Sequence, residues 1–105
     1  MKNTLLYDFY GELLTEHQRK IYESVVFEDL SLAEAAEQAR ISRQGVHDII
    51  RRCNASMEDF EQRLHLMERF LQLREKAERI RAAAQKEPAD LETVRKTIDE
   101  MLEEL

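Results

Sequence analysis

Apolar residues return every three or four positions along almost the whole chain, which is the spacing of helices buried on one side. Leu5, Leu6, Phe9, Tyr10 and Leu13 place a first helix over about residues 5–13, with Gly11 near its end. Thr15 opens a second, because Gln18, three residues on, can reach back to it in a capping box. Ile21, Tyr22, Val25 and Val26 form its apolar face. Its β-branched content is high, but residues 19–22 do not alternate as a strand would. After a connector from Phe27 to Leu30, Ser31 and Glu34 repeat the capping box, and Leu32, Ala35, Ala36 and Ala39 share one face. Ser42 is the next N-cap, followed by a stripe of Val46, Ile49 and Ile50, with Ile41 placed to fill the gap between the two helices.

A longer helix is predicted from about Met57 to near Lys86, a stretch without Gly or Pro. It would measure about 43 Å at roughly 1.5 Å per residue. Met57, Phe60, Leu64, Met67 and Leu71 form one stripe, and Leu66, Phe70, Leu73, Ala77, Ile80 and Ala84 form another on a rotated face. Two apolar faces need two partners. Pro88 ends this helix. Asp90 then caps a last one carrying Leu91, Val94, Ile98, Met101 and Leu105, and the short link implies an antiparallel hairpin.

The predicted fold class is therefore all-α, a helix-turn-helix domain over residues 1–55 followed by a C-terminal helical hairpin over residues 56–105. The first part rests on SLAEAAEQARISRQGVHDIIRRC, residues 31–53. Two caps eleven positions apart leave room for one short helix and a tight turn, and small Ala35 and Ala36 let a second helix pack close. A plain helical hairpin of a bundle is the competing description of the same pattern.

Composition fits: two glycines, one proline and 36% charged residues suit a nearly all-helical chain. The net charge of −6 is the wrong sign for a general nucleic-acid coat. Its distribution matters more. Between Arg40 and Arg52 four arginines face Asp48 alone, a local excess of three positive charges. Cys53 is the single cysteine, so no intramolecular disulfide is possible, and its place on an apolar stripe predicts a buried structural thiol. No stretch approaches the roughly 18 apolar residues of a membrane span, and the N-terminus lacks a secretory pattern. A cytoplasmic protein with no membrane partner is expected.

Catalysis finds little support. His17, His47 and His65 are dispersed, and isolated Gly11 and Gly45 exclude phosphate-cradling loops. Glu61, His65 and Glu68 could share one helix face. Helical carboxylate metal centres draw ligands from several helices, however, so no metal, no cofactor and no enzyme is expected. The candidate nucleic-acid-binding residues are Ser42, Arg43, Gln44, His47, Arg51 and Arg52. Arg43 and Gln44 occupy the first turn, where side chains meet base edges; arginine suits guanine and glutamine suits adenine. His47 lies one turn on. Arg51 and Arg52 are suited to phosphate, which positions without specifying. The alternative is that these are solvated charges beside Asp48.

Residues 14–52, LTEHQRKIYESVVFEDLSLAEAAEQARISRQGVHDIIRR, resemble the region-4 helix-turn-helix of bacterial sigma factors. LLYDFYGELLT, FEDLSLAEAAE, ISRQGVHDIIRR and the long C-terminal helices resemble the YlxM family of small bacterial proteins over nearly the full length. That resemblance implies a regulatory or accessory role in the signal recognition particle pathway, with particle components as partners. It places Ser42, Arg43, Gln44 and His47 at the start of a reading helix for nucleic acid, DNA rather than RNA. The reading kept beside it is a protein-binding adaptor of the targeting machinery with little DNA affinity. Two positions depart from the common motif: Arg40 stands where a left-handed turn usually has glycine, and Gly45 stands where alanine is common. Finally, the hairpin carries more large apolar groups than two helices can bury, which implies a homodimer.

Overall fold

A computed structural model describes residues 2–105. Among them every regular element is helical: α1 (Lys2–Tyr10), a 3-10 turn (Gly11–Leu13), α2 (Glu16–Val26), α3 (Leu32–Ala39), α4 (Arg43–Leu64), α5 (Leu66–Gln85) and α6 (Leu91–Glu103). The chain divides into two compact units, the first ending at His65 and the second beginning at Leu66.

Local chemistry sets the helix starts of the first unit. Thr15 Oγ1 accepts from the Gln18 amide at 3.1 Å while the Gln18 side chain accepts from the Thr15 amide at 3.0 Å. Ser31 and Glu34 repeat the exchange at 3.1 Å each way. Both capping boxes expected from the sequence are therefore formed. The hydrophobic centre is Ile21, Ala35, Ala36 and Val46, with Val25, Ala39, Ile41, Ile49 and Ile50 packed around it. Ile41 does fill the gap between the helices. Leu13 and Leu32, expected on buried faces, are exposed. Leu13 falls in the 3-10 turn, out of register with the face of α1, and Leu32 is the first residue of α3, at the edge of the contact.

α1 completes the core from the other side. Leu6 and Tyr10 are fully buried, as are Tyr22, Cys53 and Met57. Tyr7 stacks on Tyr22 with ring centres 5.3 Å apart, and Phe27 closes on both. Gly11 makes this packing possible, because a Cβ there would lie 2.8 Å from the Tyr7 ring.

Two expectations about helix extent fail. The helix that begins at Arg43 does not stop near Cys53 but runs 22 residues to Leu64. Asn54-Ala55-Ser56 looks like a boundary, yet Val46, Ile50, Cys53, Met57 and Phe60 keep their spacing of three and four through it, so one buried stripe carries the helix onward. Conversely, the long helix expected from Met57 to Lys86 is two helices. His65 adopts φ 57°, ψ 28° and ends α4. The first of the two stripes read as faces of one helix is thus divided, with Met57, Phe60 and Leu64 on α4 and Met67 and Leu71 on α5, while the second lies wholly on α5. The chain divides ten residues beyond the 55/56 boundary expected from the sequence.

In the second unit α5 and α6 are antiparallel. Lys76 pairs with Glu104, Arg79 with Glu100 at 3.3 Å, and the Asp90 amide donates to the Ala83 carbonyl at 2.9 Å. Glu100 and Glu104 oppose the dipole at the end of α6, but these cations of α5 offset them. Asp90 Oδ1 accepts from the Thr93 amide at 3.1 Å and Oδ2 from its hydroxyl at 2.6 Å, so it caps α6 as expected. These two bonds and nearby Lys86 hold its carboxyl below the usual carboxylate range. Ala83 and Thr97 are buried between the helices, and Thr97 Oγ1 donates to the Thr93 carbonyl.

Candidate nucleic-acid interface

The turn between α3 and α4 positions the candidate reading helix. Arg40 ends α3 at φ 59°, ψ 42°, the left-handed conformation expected at that position, and its amide donates back to the Ala36 and Glu37 carbonyls. Ser42 then caps α4, its Oγ accepting from the Gly45 amide at 2.9 Å. A Cβ at Gly45 would come within 3.2 Å of that oxygen, so glycine leaves the cap undisturbed.

Ser42, Arg43, Gln44, His47, Arg51 and Arg52 are all exposed. At about 100° per residue, Arg43, His47, Arg51, Gln44 and Arg52 sweep the side of α4 opposite Val46, Cys53 and Met57. The sweep is broad, close to half the helix circumference, so Arg43 and Arg52 lie at its two margins. Arg43 and Arg52 make no ion pair among the described residues. Ser42 differs from the rest, since its hydroxyl is already engaged in the cap.

Asp48 stands within this face, although the sequence alone presents it only as an acidic neighbour. Its Oδ1 accepts from Gln44 Nε2 at 3.1 Å, lies 3.4 Å from Arg51 Nη2 and is 3.9 Å from His47 Nδ1. A signal for this does exist in the chain: Gln44 and Arg51 stand four before and three after it, the spacings at which helix side chains meet.

Residues 1–100 match the profile of UPF0122, described as "Putative helix-turn-helix protein, YlxM / p13 like". The chain belongs to the UPF0122 family. A UPF0122 protein of Thermoanaerobacter sp. (strain X514) is 47% identical over 78 residues, 74% of this chain and 67% of the relative. One from Symbiobacterium thermophilum is 52% identical over 60 residues, 57% of this chain and 56% of its own length. One from Clostridium kluyveri is 51% identical over 65 residues, 62% and 59% of the two chains. The YlxM resemblance seen in the sequence is thus a family membership, and a helix-turn-helix family is not an enzyme kind.

Two further side chains of this UPF0122 chain, Cys53 and Tyr22, serve its packing. Cys53 is fully buried and burial pushes its thiol pKa up, so it stays protonated at neutral pH. Tyr22 donates its hydroxyl to Asn54 Oδ1 at 2.9 Å, which ties α2 to the middle of α4. Glu61 and His65 belong to the first unit and Glu68 to the second, so the single helix face read for them in the sequence does not exist. No described helix is long and apolar enough to cross a membrane.

Proposed function

We propose that this chain is a non-enzymatic regulatory or accessory protein of the signal recognition particle pathway that binds nucleic acid, double-stranded DNA, through the N-terminal half of α4. The observation that carries the reading is the division of that half-helix. Val46 and Cys53 are sealed in the core, while Arg43, Gln44, His47, Arg51 and Arg52 project together from the opposite side of a capped, rigidly packed helix. A major groove about 12 Å wide admits one helix presented this way. Arg43 and Gln44 take the base edges, and Arg51 and Arg52 the phosphates. The pathway assignment rests on what the YlxM resemblance implies. The setting is the cytoplasm and no cofactor is required.

Mobility-shift titration of Arg43→Ala and Gln44→Ala against duplex DNA tests the reading. Both variants fold and bind more weakly. Absence of wild-type binding even at low salt refutes it.

The hairpin supplies a second element. Leu73, Ile98, Leu102 and Leu105 are large and exposed, and they line an open groove of about 570 Å³ along α5 and α6. A second copy is the occupant. Two-fold pairing of hairpins makes a four-helix arrangement. A face about 30 Å long and about 20 Å wide is comparable with the roughly 800 Å² per partner of a stable interface. Light scattering then gives twice the chain mass at micromolar concentration, and a monomeric mass overturns the dimer.

The same groove and the net charge of −6 favour a second reading, a protein-binding adaptor with little DNA affinity. Recovery of particle components from extract that survives nuclease supports the adaptor. Recovery abolished by nuclease supports the nucleic-acid reading.

A further inference from the structure

Asp48 is the sole acidic residue between Arg40 and Met57, and it lies in the middle of the proposed reading face rather than at its edge. One carboxylate oxygen accepts from Gln44 Nε2 at 3.1 Å and Arg51 Nη2 at 3.4 Å, and His47 Nδ1 lies 3.9 Å from it. These are three of the side chains the face would offer to a duplex. Resting on the nucleic-acid reading above, we infer that Asp48 is a specificity-determining residue that suppresses sequence-independent binding: it occupies Gln44 and Arg51 and repels phosphate, so that α4 seats fully only where a base pair presents an amino group to the carboxylate.

The argument is one of competition. Phosphate oxygens and the Asp48 carboxylate seek the same donors, and each strand brings a phosphate at every step. A generic duplex must therefore take Arg51 from Asp48 and bring its own negative charge close to the abandoned carboxylate. Base edges differ. The cytosine N4 amino group donates into the major groove, and Asp or Glu is the side chain that accepts from it. At such a step Asp48 exchanges the Gln44 amide for a base donor, and Gln44 is released toward an adjacent base. Arg52, which has no ion pair among the described residues, is free to hold phosphate throughout, and Arg43, equally without an ion pair, keeps its base edge.

The test is Asp48→Asn against wild type, using a fluorescently labelled mixed-sequence duplex of about two helical turns, roughly 20 base pairs. Asparagine keeps an acceptor for Gln44 but removes the charge. At about 50 mM salt Asp48→Asn should bind about 5-fold tighter, and its log–log salt slope should steepen by roughly 0.9, the signature of one more neutralised phosphate. Asp48→Glu, which restores the charge, should return both quantities toward wild type. Tyrosine-monitored melting establishes that the variants are folded. A wild type that does not bind even at this low salt overturns the nucleic-acid reading, and the inference falls with it. If wild type binds and Asp48→Asn binds equally or more weakly, the inference falls and the nucleic-acid reading stands. If neither binds, both fall.

Discussion

Arg40 offers a stability experiment whose sign follows from backbone geometry. It sits at φ 59°, ψ 42° in the turn of the helix-turn-helix, where an L-residue brings its Cβ against the following carbonyl. That conformation costs roughly 1–2 kcal/mol for a residue with a side chain and almost nothing for glycine. Arg40→Gly removes this strain. It keeps the hydrogen bonds that shape the turn, because the Arg40 amide still reaches the Ala36 and Glu37 carbonyls and the Ile41 amide the Ala36 carbonyl. Against the gain stands the extra freedom of glycine in the unfolded chain, about 0.5–1 kcal/mol. The expected net is a stabilisation of about 0.5–1 kcal/mol, or about 2–8 °C in melting midpoint for a unit of this size. Tyrosine fluorescence isolates the right unit: the chain has three tyrosines and no tryptophan, and Tyr7, Tyr10 and Tyr22 all lie before His65. Urea unfolding followed this way gives the midpoint. Arg40→Ala is the control, since it deletes the same charge but keeps the Cβ and hence the strain. A glycine variant no more stable than both wild type and the alanine variant would refute the reasoning.

Other substitutions probe the packing. Gly11→Ala puts a methyl group 2.8 Å from the Tyr7 ring and should destabilise the first unit by about 1–3 kcal/mol in the same urea assay; an unchanged midpoint would mean the ring moves aside at no cost. Val46→Asp places an unpaired charge at a fully buried site, so loss of cooperative tyrosine-monitored unfolding is expected, and a retained wild-type midpoint would contradict the core assignment. Asp90 titrates below the usual carboxylate range in the fold, so its contribution is present above the unfolded pKa and disappears as pH falls through the lower folded value. Asp90→Asn should therefore reduce stability at neutral pH and flatten the acid limb of helicity measured by circular dichroism, whereas an acid limb identical to wild type would show that another group dominates it.

What is legible in the sequence is local. A capping box spans three residues and is decided by their chemistry, which is why Thr15–Gln18, Ser31–Glu34 and the Asp90 cap follow from the order of residues alone. Exposure of the candidate reading residues is legible for the same reason, since helix period alone separates Arg43 and His47 from Val46. The break at His65 is not legible. Neither glycine nor proline marks it, and a histidine in left-handed conformation leaves no trace in hydrophobic spacing. The partners of Glu100 and Glu104 are equally hidden, because Arg79 and Lys76 lie more than twenty residues away and meet them only across the hairpin.

The length of α4 bears directly on how much of it a duplex can engage. The helix runs 22 residues, about 33 Å, far more than the roughly 12 Å width of a major groove requires. Charge, not helix ending, marks the limit. Arg43, Arg51 and Arg52 bracket the first ten residues, about 15 Å of helix. Beyond Met57 come Glu58, Asp59 and Glu61, and Arg63 is drawn to Asp59 at 3.3 Å. On the proposed reading, flanking phosphates would be repelled by that second half. It also serves the interior: Met57 is fully buried, Phe60 lies against the Tyr10 ring at 6.0 Å, and the Tyr10 hydroxyl donates to Glu61 at 2.6 Å. One helix is thus anchored on α1 through its acidic half and presented through its basic half. Because the anchor and the candidate reading face share an unbroken backbone, packing at Met57 and Phe60 holds the five projecting donors in fixed register from about one to about five turns away.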